Sequence, residues 1–208
     1  FTINEPQCIV GLGYQTGEHA PGLKVGPSDY FRIWHNVLKA HGRAVEALRE
    51  FSKQPVKISM APCGALYVPE TNKPEDIEAA RKANFSLPEN SIGACSWDVA
   101  LCCDPVYLGQ YPEDILKEFG QFFPKVTDAD MKLISQPLDF FGQNIYNAVT
   151  VRAGEDGKAV RAARYDGFPQ TAIGWPVTPE VLYWAPKFMQ ERYKTVSYTH
   201  LTLPTKRI

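Results

Sequence analysis

The sequence predicts an α/β fold, because strand and helix signals alternate along its 208 residues. A β run at residues 56–61 (VKISMA) is followed by residues 74–83, whose proline and two acidic residues suit the first turn of a helix. Helical segments also precede the strand signal at residues 138–146 (LDFFGQNIY). Connections of this length allow parallel pairing of the strands, as in α/β architecture.

The first half of the chain has four further local signals. Residues 1–3 (FTI) are typical of the end of a buried strand, because Pro6 cannot continue a central one. A loop rich in Gly and Pro is expected at residues 11–28. Apolar residues then recur at steps of three or four through residues 32–51, which predicts one amphipathic helix. The apolar run at residues 97–103 should be buried and should end at Pro105.

The second half predicts two short helices, the strand named above, a hairpin and a final helix. Pro112 and two acidic residues open one helix, and Thr127 with Asp130 resembles a capping box for the next. The segment AVTVRAGEDGKAVRA predicts a β-hairpin that turns at its Asp-Gly dipeptide. The final helix is expected to begin at Pro179, and Pro186 should kink it.

Composition and charge exclude several classes of function. A hydrophobic fraction of 44% with 22% charged residues is ordinary for a globular domain and argues against disorder. A formal net charge of -1 provides no basic field for nucleic acid or an anionic membrane. There is no apolar run of about 18 residues that could span a membrane. We therefore expect a small neutral partner, no nucleic acid and no membrane, whereas the oligomeric state is not readable from the sequence.

The cysteines and histidines do not form a recognisable metal or disulfide pattern. The five cysteines are Cys8, Cys63, Cys95, Cys102 and Cys103. Their odd number and their spacings match neither paired zinc knuckles nor a small secreted scaffold. Reduced, mostly buried thiols are expected, which favours a cytoplasmic location. Since no H-E-x-x-H pattern is present, we expect no metal.

Polar residues follow two of the predicted strands. Asn4 and Glu5 come after the first strand, and Asn144 and Tyr146 come after FFGQ. A single glutamate is more often a solvated surface charge, and Asn144 and Tyr146 could be a loop cap and a core ring. The carboxyl ends of parallel strands, however, are the face at which barrel enzymes build their sites. A (β/α)₈ barrel needs about 250 residues, so this chain would be a piece of one.

Five ordered segments resemble glycoside hydrolase family 1, the β-glucosidase and β-galactosidase family. They are TINEP, HNVLKAHGRAVEALRE, PEDIEAAR, LDFFGQNIYNA and GWPVTPEVLYWA, and they span residues 1 to about 194. The resemblance implies an incomplete (β/α)₈ TIM barrel, of which the chain holds the central portion only. It also implies a retaining β-glycosidase that hydrolyses β-linked glucosides or galactosides without a cofactor.

The resemblance also implies roles for individual residues. Glu5 would be the general acid/base, and Asn4 would hydrogen-bond the 2-hydroxyl of the sugar. Asn144 would line the glycone site, and Tyr146 would hydrogen-bond the nucleophilic carboxylate. Ile145 departs from the family pattern, which often has a tyrosine there. Retaining glycosidases need two carboxyl groups about 5–5.5 Å apart, one protonated and one ionised.

The expected nucleophile segment, I/V-T-E-N-G, does not occur after GWPVTPE. Residues 196–205 (VSYTHLTLPT) can instead be encoded by a transposase-based sequencing adapter read through in frame. We therefore expect residues 1–194 to be a partial TIM-barrel glycosidase domain and residues 195–208 to be a non-native tail. The chain itself should be inactive and should aggregate through an exposed sheet edge.

Two other classes of function remain open at this point. One is a sugar-binding relative of the same family that has lost catalysis, which the missing nucleophile segment allows. The other is a redox or metal protein that uses Cys102 and Cys103, although their spacing gives it little support.

Overall fold

The computed structural model describes residues 1–87, 91–195 and 197–199. The helices are a π-helix (Cys8–Thr16), α1 (Pro27–Phe51), α2 (Pro74–Ala83), α3 (Ile92–Ser96), α4 (Val99–Tyr107), α5 (Glu113–Phe119), a 3₁₀ turn (Gly120–Phe122), α6 (Asp128–Ile134) and α7 (Val181–Tyr193). The strands are β1 (Tyr67–Pro69), β2 (Phe141–Gln143), β3 (Val149–Ala153), β4 (Ala159–Arg161) and β5 (Ser197–Thr199).

Four extended segments lie side by side in parallel and in chain order. In the first pair, the Thr2 N–H donates to the Ser59 carbonyl at 2.9 Å, and the Glu5 N–H donates to the Ala61 carbonyl at 2.8 Å. Asn4 and Ala61 form a parallel bridge. Helical segments occupy the connections between these strands, as in part of a (β/α)₈ arrangement.

The same row continues through β2 and β5. The Asp139 N–H donates to the Ile58 carbonyl at 3.0 Å, and the Asn144 N–H donates to the Pro62 carbonyl at 2.9 Å. On its other side, β2 pairs in parallel with β5. Ladder hydrogen bonds thus fix the register of three successive strand ends, those that finish near Glu5, Pro62 and Asn144.

A second, three-stranded sheet has the order β1-β3-β4. β1 and β3 are parallel, and β3 and β4 form the expected antiparallel hairpin with Gly157 at a φ of 74° in its turn. Helix α2 covers this sheet, where Ala80, Val151 and Phe188 form a small buried cluster.

Helix α1 supplies much of the main core. It begins at Pro27, earlier than the apolar period alone predicts, because a proline and Asp29 suit its first turn. Trp34, Leu38 and Val45 of its inner face are fully or almost fully buried. None of the helices that the structure describes is long and apolar enough to cross a membrane.

A buried ion pair holds α7 against α4. The guanidinium of Arg192 donates to both carboxylate oxygens of Asp104, at 2.9 and 2.5 Å, and the Tyr193 hydroxyl donates to the same carboxylate at 2.9 Å. Asp104 is only 1% exposed. The Asp104 carboxylate accepts two hydrogen bonds from the guanidinium and one from the hydroxyl. These three hydrogen bonds compensate the cost of burying its charge.

Two expectations about the local structure are wrong. Residues 11–16 belong to the π-helix and not to a loop, because Gly11 and Gly13 allow close packing against Ser96 and Ala20. Phe1 is 57% exposed, so the first strand end is not buried at its start. The β run at residues 56–61 is confirmed from Ile58 to Ala61, whose backbone groups hydrogen-bond to the parallel segments on both sides.

Pro105 was a further source of error, whereas the polar cap was predicted correctly. Pro105 lies inside α4 and does not end it, because α4 is buried along almost its whole length. Helix α7 includes Pro186, and the kink expected there stays a prediction. The capping box is confirmed, since the Thr127 hydroxyl accepts from the Asp130 N–H while the Asp130 carboxylate accepts from the Thr127 N–H.

Replacing Gly42 by Ala tests the contact between α1 and α6. The added Cβ would overlap the backbone carbonyl of Leu133, so we expect the free energy of unfolding to fall by about 1–3 kcal/mol. The matched control is Gly120→Ala, because Gly120 has a φ of -54° and no described atom lies within 4 Å of its added Cβ. The urea concentration at which half of the soluble protein is unfolded measures the change in stability of each variant. A midpoint for Gly42→Ala at or above that of the control would contradict the packing.

His41 should make stability depend on pH. Its Nδ1 lies 2.6 Å from the Thr2 hydroxyl, and burial lowers its pKa to about 4. The unfolded chain, with an ordinary histidine pKa of about 6.5, binds more protons than the native state between these values. Stability should therefore fall as the pH drops from about 6.5 to about 4, by about 3 kcal/mol from this group.

Replacing His41 by Asn provides the comparison, since the amide can still meet Thr2 but does not titrate. His35 is also buried with a lowered pKa and contributes in the same direction, so the difference between the two proteins isolates His41. Urea midpoints across this pH range measure the effect. Equal pH slopes for the two proteins would show that His41 is not buried as a neutral ring.

Candidate active site

The ends of three neighbouring parallel segments bring the predicted site residues together. The bridge between Asn4 and Ala61 places Glu5 beside the chain that continues to Cys63. The Asn144 N–H bonded to Pro62 places Asn144 on the other side of that chain. Since parallel strands end at the same edge of a sheet, side chains 139 residues apart in sequence meet here.

Glu5 is at the centre of a hydrogen-bond network. Its Oε1 accepts from the Asn144 side-chain amide at 2.8 Å and from the Tyr146 hydroxyl at 2.7 Å. The same amide of Asn144 donates to Asn4 Oδ1 at 2.9 Å. On the other carboxylate oxygen, Oε2 accepts from the Cys8 thiol at 3.4 Å. All four predicted residues therefore belong to one connected group.

The backbone of Glu5 adopts a conformation that is rare for a residue with a side chain. Its φ is 45°, in the left-handed region. The surrounding hydrogen bonds hold it there, since its N–H donates to Ala61 and its carbonyl accepts from the Cys8 N–H at 2.9 Å and the Ile9 N–H at 3.3 Å. Strain of this kind is often found at functional sites. It turns the chain from strand to helix and directs the carboxylate into the site.

The carboxylate opens on a cavity of about 480 Å³. Aromatic and aliphatic side chains line much of it, including Leu12, Trp97 and Trp175, next to Glu5 and Tyr146. The rings of Tyr146 and Trp175 are 5.5 Å apart between centroids. This size and this mixture of apolar walls with a few polar groups are typical of small-molecule sites.

The sequence profile described as Glycosyl hydrolase family 1 matches residues 1–202. The chain belongs to this family. Beta-glucosidase A of Thermotoga maritima is 34% identical to it over 195 residues, which are 93% of this chain and 41% of the relative. Beta-glucosidase A of Acetivibrio thermocellus is 36% identical over 188 residues, which are 88% of this chain and 39% of the relative. The chain thus spans about two fifths of the length of these relatives.

Solved structures of the family confirm the fold. A family 1 b-glucosidase from Thermotoga maritima superposes with a TM-score of 0.70 at 31% identity, covering 96% of this chain and 43% of that chain. The beta-glucosidase from the same organism in complex with glucoimidazole gives a TM-score of 0.71 at 33% identity, covering 94% and 41%. The architecture is therefore a partial family 1 (β/α)₈ barrel, as the sequence predicts.

Burial and the neighbouring Glu5 both raise the pKa values of two side chains that contact it, Tyr146 and Cys8. Partial burial raises the pKa of the Tyr146 hydroxyl, and the hydrogen bond and the charge of Glu5 raise it further. Burial also raises the pKa of the Cys8 thiol, again with a contribution from Glu5. Both groups consequently remain protonated donors to the carboxylate at neutral pH.

One expected contact has a different partner in this chain. The family resemblance pairs Tyr146 with a nucleophilic carboxylate, whereas its hydroxyl donates here to Glu5. Among the residues that the structure describes, Glu5 is the one acidic side chain lining the cavity. The role of Tyr146 towards a second carboxylate therefore stays a prediction.

Two cysteines of the site escaped the sequence analysis, which expected reduced, mostly buried thiols. Cys8 is partly buried beside Glu5, and Cys63 is 5% exposed at the end of the neighbouring strand. The spacing of Cys8 three residues after Glu5, one helical turn, was the available signal. By contrast, Cys102 and Cys103 are fully buried within α4, where they cannot meet a substrate.

A second and larger cavity, of about 1030 Å³, lies between α2 and the β3-β4 hairpin, among residues that do not touch Glu5. Five cations line it, and four of them are paired with acidic side chains, including Lys82 with Glu78 and Lys158 with Asp156. Arg81 contacts Glu78 and Glu191, and Arg192 is bound to Asp104. With these charges neutralised, this cavity does not compete with the site at the strand ends.

Replacing Glu5 by Gln should lower the pKa of Tyr146, because the substitution removes the negative charge that raises it. The tyrosinate absorbance is followed through an alkaline titration, and the titration of Tyr146→Phe is subtracted to isolate this one tyrosine among ten. We expect the isolated curve to shift to lower pH in Glu5→Gln. Identical curves with and without the carboxylate would contradict the hydrogen bond.

Proposed function

We propose that this chain is part of a retaining β-glycosidase that hydrolyses β-linked glucosides or galactosides, with Glu5 as its general acid/base. The observation that carries the proposal is the position of Glu5. It lies at the end of a parallel strand, opens on the cavity and accepts hydrogen bonds from Asn144 and Tyr146. Relatives that carry the name beta-glucosidase support the same class of substrate.

The hydrogen bonds favour Oε2 as the oxygen that transfers the proton. Oε1 already accepts two hydrogen bonds, from Asn144 and Tyr146. Oε2 accepts one bond from the thiol of Cys8, which is a weak donor. In the first step Glu5 would protonate the leaving oxygen of the glycoside. In the second step the same carboxylate would remove a proton from the attacking water.

Asn4 and Asn144 would bind the sugar beside this carboxylate. Because Asn4 Oδ1 accepts from Asn144, the amide of Asn4 remains oriented as a donor, and the residue is exposed at the edge of the site. It can then hydrogen-bond the sugar 2-hydroxyl, a contact that strengthens in the oxocarbenium-like transition state. Trp175, 43% exposed beside Tyr146, can offer its ring to a sugar face.

The second carboxylate would come from the strand that follows α7. In this chain β5 follows α7 and pairs in parallel with β2, which makes it the third strand from the segment that ends in Glu5. We propose that residues 195–208 replace the native sequence there and that the parent protein has a glutamate at that strand end. The adapter-like residues 196–205 support this proposal, whereas the family match to residue 202 counts against it. A carboxylate at that place would compete with Glu5 for the Tyr146 hydroxyl.

The parent protein should hydrolyse an aryl β-glucoside, whereas the 208-residue chain should not. In the parent, Glu5→Gln should lower kcat/KM about 10²–10⁴-fold for a glucoside with a poor leaving group, because that group needs a proton to depart. For a glucoside of a strongly acidic phenol the loss should be below about tenfold. Steady-state kinetics with both substrates measure the difference.

Glu18→Gln is the matched control, because Glu18 is exposed and outside the site, and it should leave both substrates unaffected. Equal losses for the two leaving groups in Glu5→Gln would show that Glu5 is not the acid. Sugar binding by the parent without any hydrolysis would favour the catalytically lost relative.

A further inference from the structure

We propose that Glu5, Cys8 and Cys63 form a binding site for a thiophilic divalent cation, with Cd²⁺ or Zn²⁺ as its ligand class. We call this group the Glu5–Cys8–Cys63 cluster. Each residue offers one ligand atom, and these atoms all lie within 4.8 Å of one another. The sequence analysis expected no metal, because the cluster joins cysteines that are 55 residues apart and resembles no linear motif.

The distances suit three corners of a tetrahedron. Cys8 Sγ lies 4.0 Å from Cys63 Sγ and 3.4 Å from Glu5 Oε2. In a tetrahedral zinc site with Zn–S bonds of about 2.3 Å, two sulfur ligands are about 3.8 Å apart, and a sulfur and an oxygen ligand are about 3.5 Å apart. The ligand atoms of Glu5 and Cys63 lie within 4.8 Å of each other, so a cation can bind once this pair closes by at most about 1.3 Å. Its fourth position would face the cavity and hold water.

The local fold holds both thiols in place. The backbone N–H of Cys8 donates to the Glu5 carbonyl, so the thiol lies one turn beyond the carboxylate. The side-chain oxygen of Gln7 accepts from the Cys63 backbone N–H at 3.3 Å and lies 3.9 Å from its thiol. Gln7 is itself fully buried. This second layer of contacts fixes ligand positions before any cation binds, as in established metal sites.

A cation can reach the Glu5–Cys8–Cys63 cluster through the cavity, and the ligand atoms suit a thiophilic cation. The cluster lines the cavity of about 480 Å³, and Glu5 and Cys8 are only partly buried, so a hydrated cation can reach it. Burial raises the pKa of both thiols, which are therefore protonated in the empty site. Binding of one cation forms two metal–sulfur bonds and one metal–oxygen bond, and it releases the two thiol protons to solvent. Two thiolates with one carboxylate favour soft cations over Mg²⁺ or Ca²⁺.

A bound cation would occupy Oε2 of Glu5, the oxygen that we propose transfers the proton. Binding should therefore inhibit hydrolysis in the parent protein. This consequence rests on the function proposed above, whereas the binding itself does not. The two statements can accordingly fail separately.

Cd²⁺ titration of the reduced, purified 208-residue chain tests the site. Charge-transfer absorbance from thiolate to Cd²⁺ reports the bonds, and we expect it to saturate at one cation per chain. Cys8→Ser and Cys63→Ser should each lower the affinity at least tenfold, whereas Cys95→Ala, a control at a buried cysteine outside the cluster, should not. No saturable signal, or equal affinity in all three variants, would overturn the proposal.

A protection experiment avoids any dependence on the folding of the variants. Alkylation of each cysteine is followed by mass spectrometry with and without Cd²⁺. Cys8, the one partly buried cysteine, should be protected by the cation. Unchanged alkylation of Cys8 at saturating Cd²⁺ would overturn the proposal even if every serine variant aggregates.

Inhibition is measured in the parent protein. Cd²⁺ should inhibit hydrolysis, and Cys8→Ser should raise the Cd²⁺ concentration needed for half-inhibition at least tenfold. Binding without inhibition would support the cation site and contradict the proposed role of Glu5. A parent that binds Cd²⁺ but hydrolyses no glycoside would likewise support the site and overturn the proposed function.

Discussion

Parallel pairing of three short segments is the constraint on which the site depends. The hydrogen bonds from Glu5 to Ala61 and from Asn144 to Pro62 fix where each segment ends relative to its neighbours. A slip of one residue would reverse which side chains face the site. The buried face of helix α1 packs against this arrangement, and its His41 contacts Thr2 on the same segment that ends in Glu5. Core packing and site geometry are therefore coupled.

The left-handed backbone of Glu5 shows how the site concentrates local strain. A φ of 45° is unfavourable for glutamate, but three backbone hydrogen bonds and the helix that follows hold it. The benefit is a carboxylate whose two oxygens have different surroundings. Asn144 and Tyr146 donate to one oxygen, and among the described residues the Cys8 thiol donates to the other. That asymmetry supports both the proposed proton transfer and the proposed cation site.

Local signals in the sequence predicted those features that depend on a few neighbouring residues. The capping box at Thr127 and the Asp-Gly hairpin turn are examples, because their hydrogen bonds are made within the motif. Pro105 misled the prediction, because burial of α4 outweighs the lost backbone hydrogen bond. Cys63 was missed for a different reason, since its approach to Glu5 results from strand register and not from spacing. The grouping of Asn4, Glu5, Asn144 and Tyr146 was predictable only because strand ends converge.

The central claim is that Glu5 is one half of a two-carboxylate site whose other half follows α7 in the parent protein. Sequencing the source DNA across the codon for Lys194 tests it most directly. The account predicts that the reading frame continues into a strand ending T-E-N-G. Source DNA that itself encodes VSYTHLTLPT followed by a stop codon would contradict it, because the protein would then lack the second carboxylate.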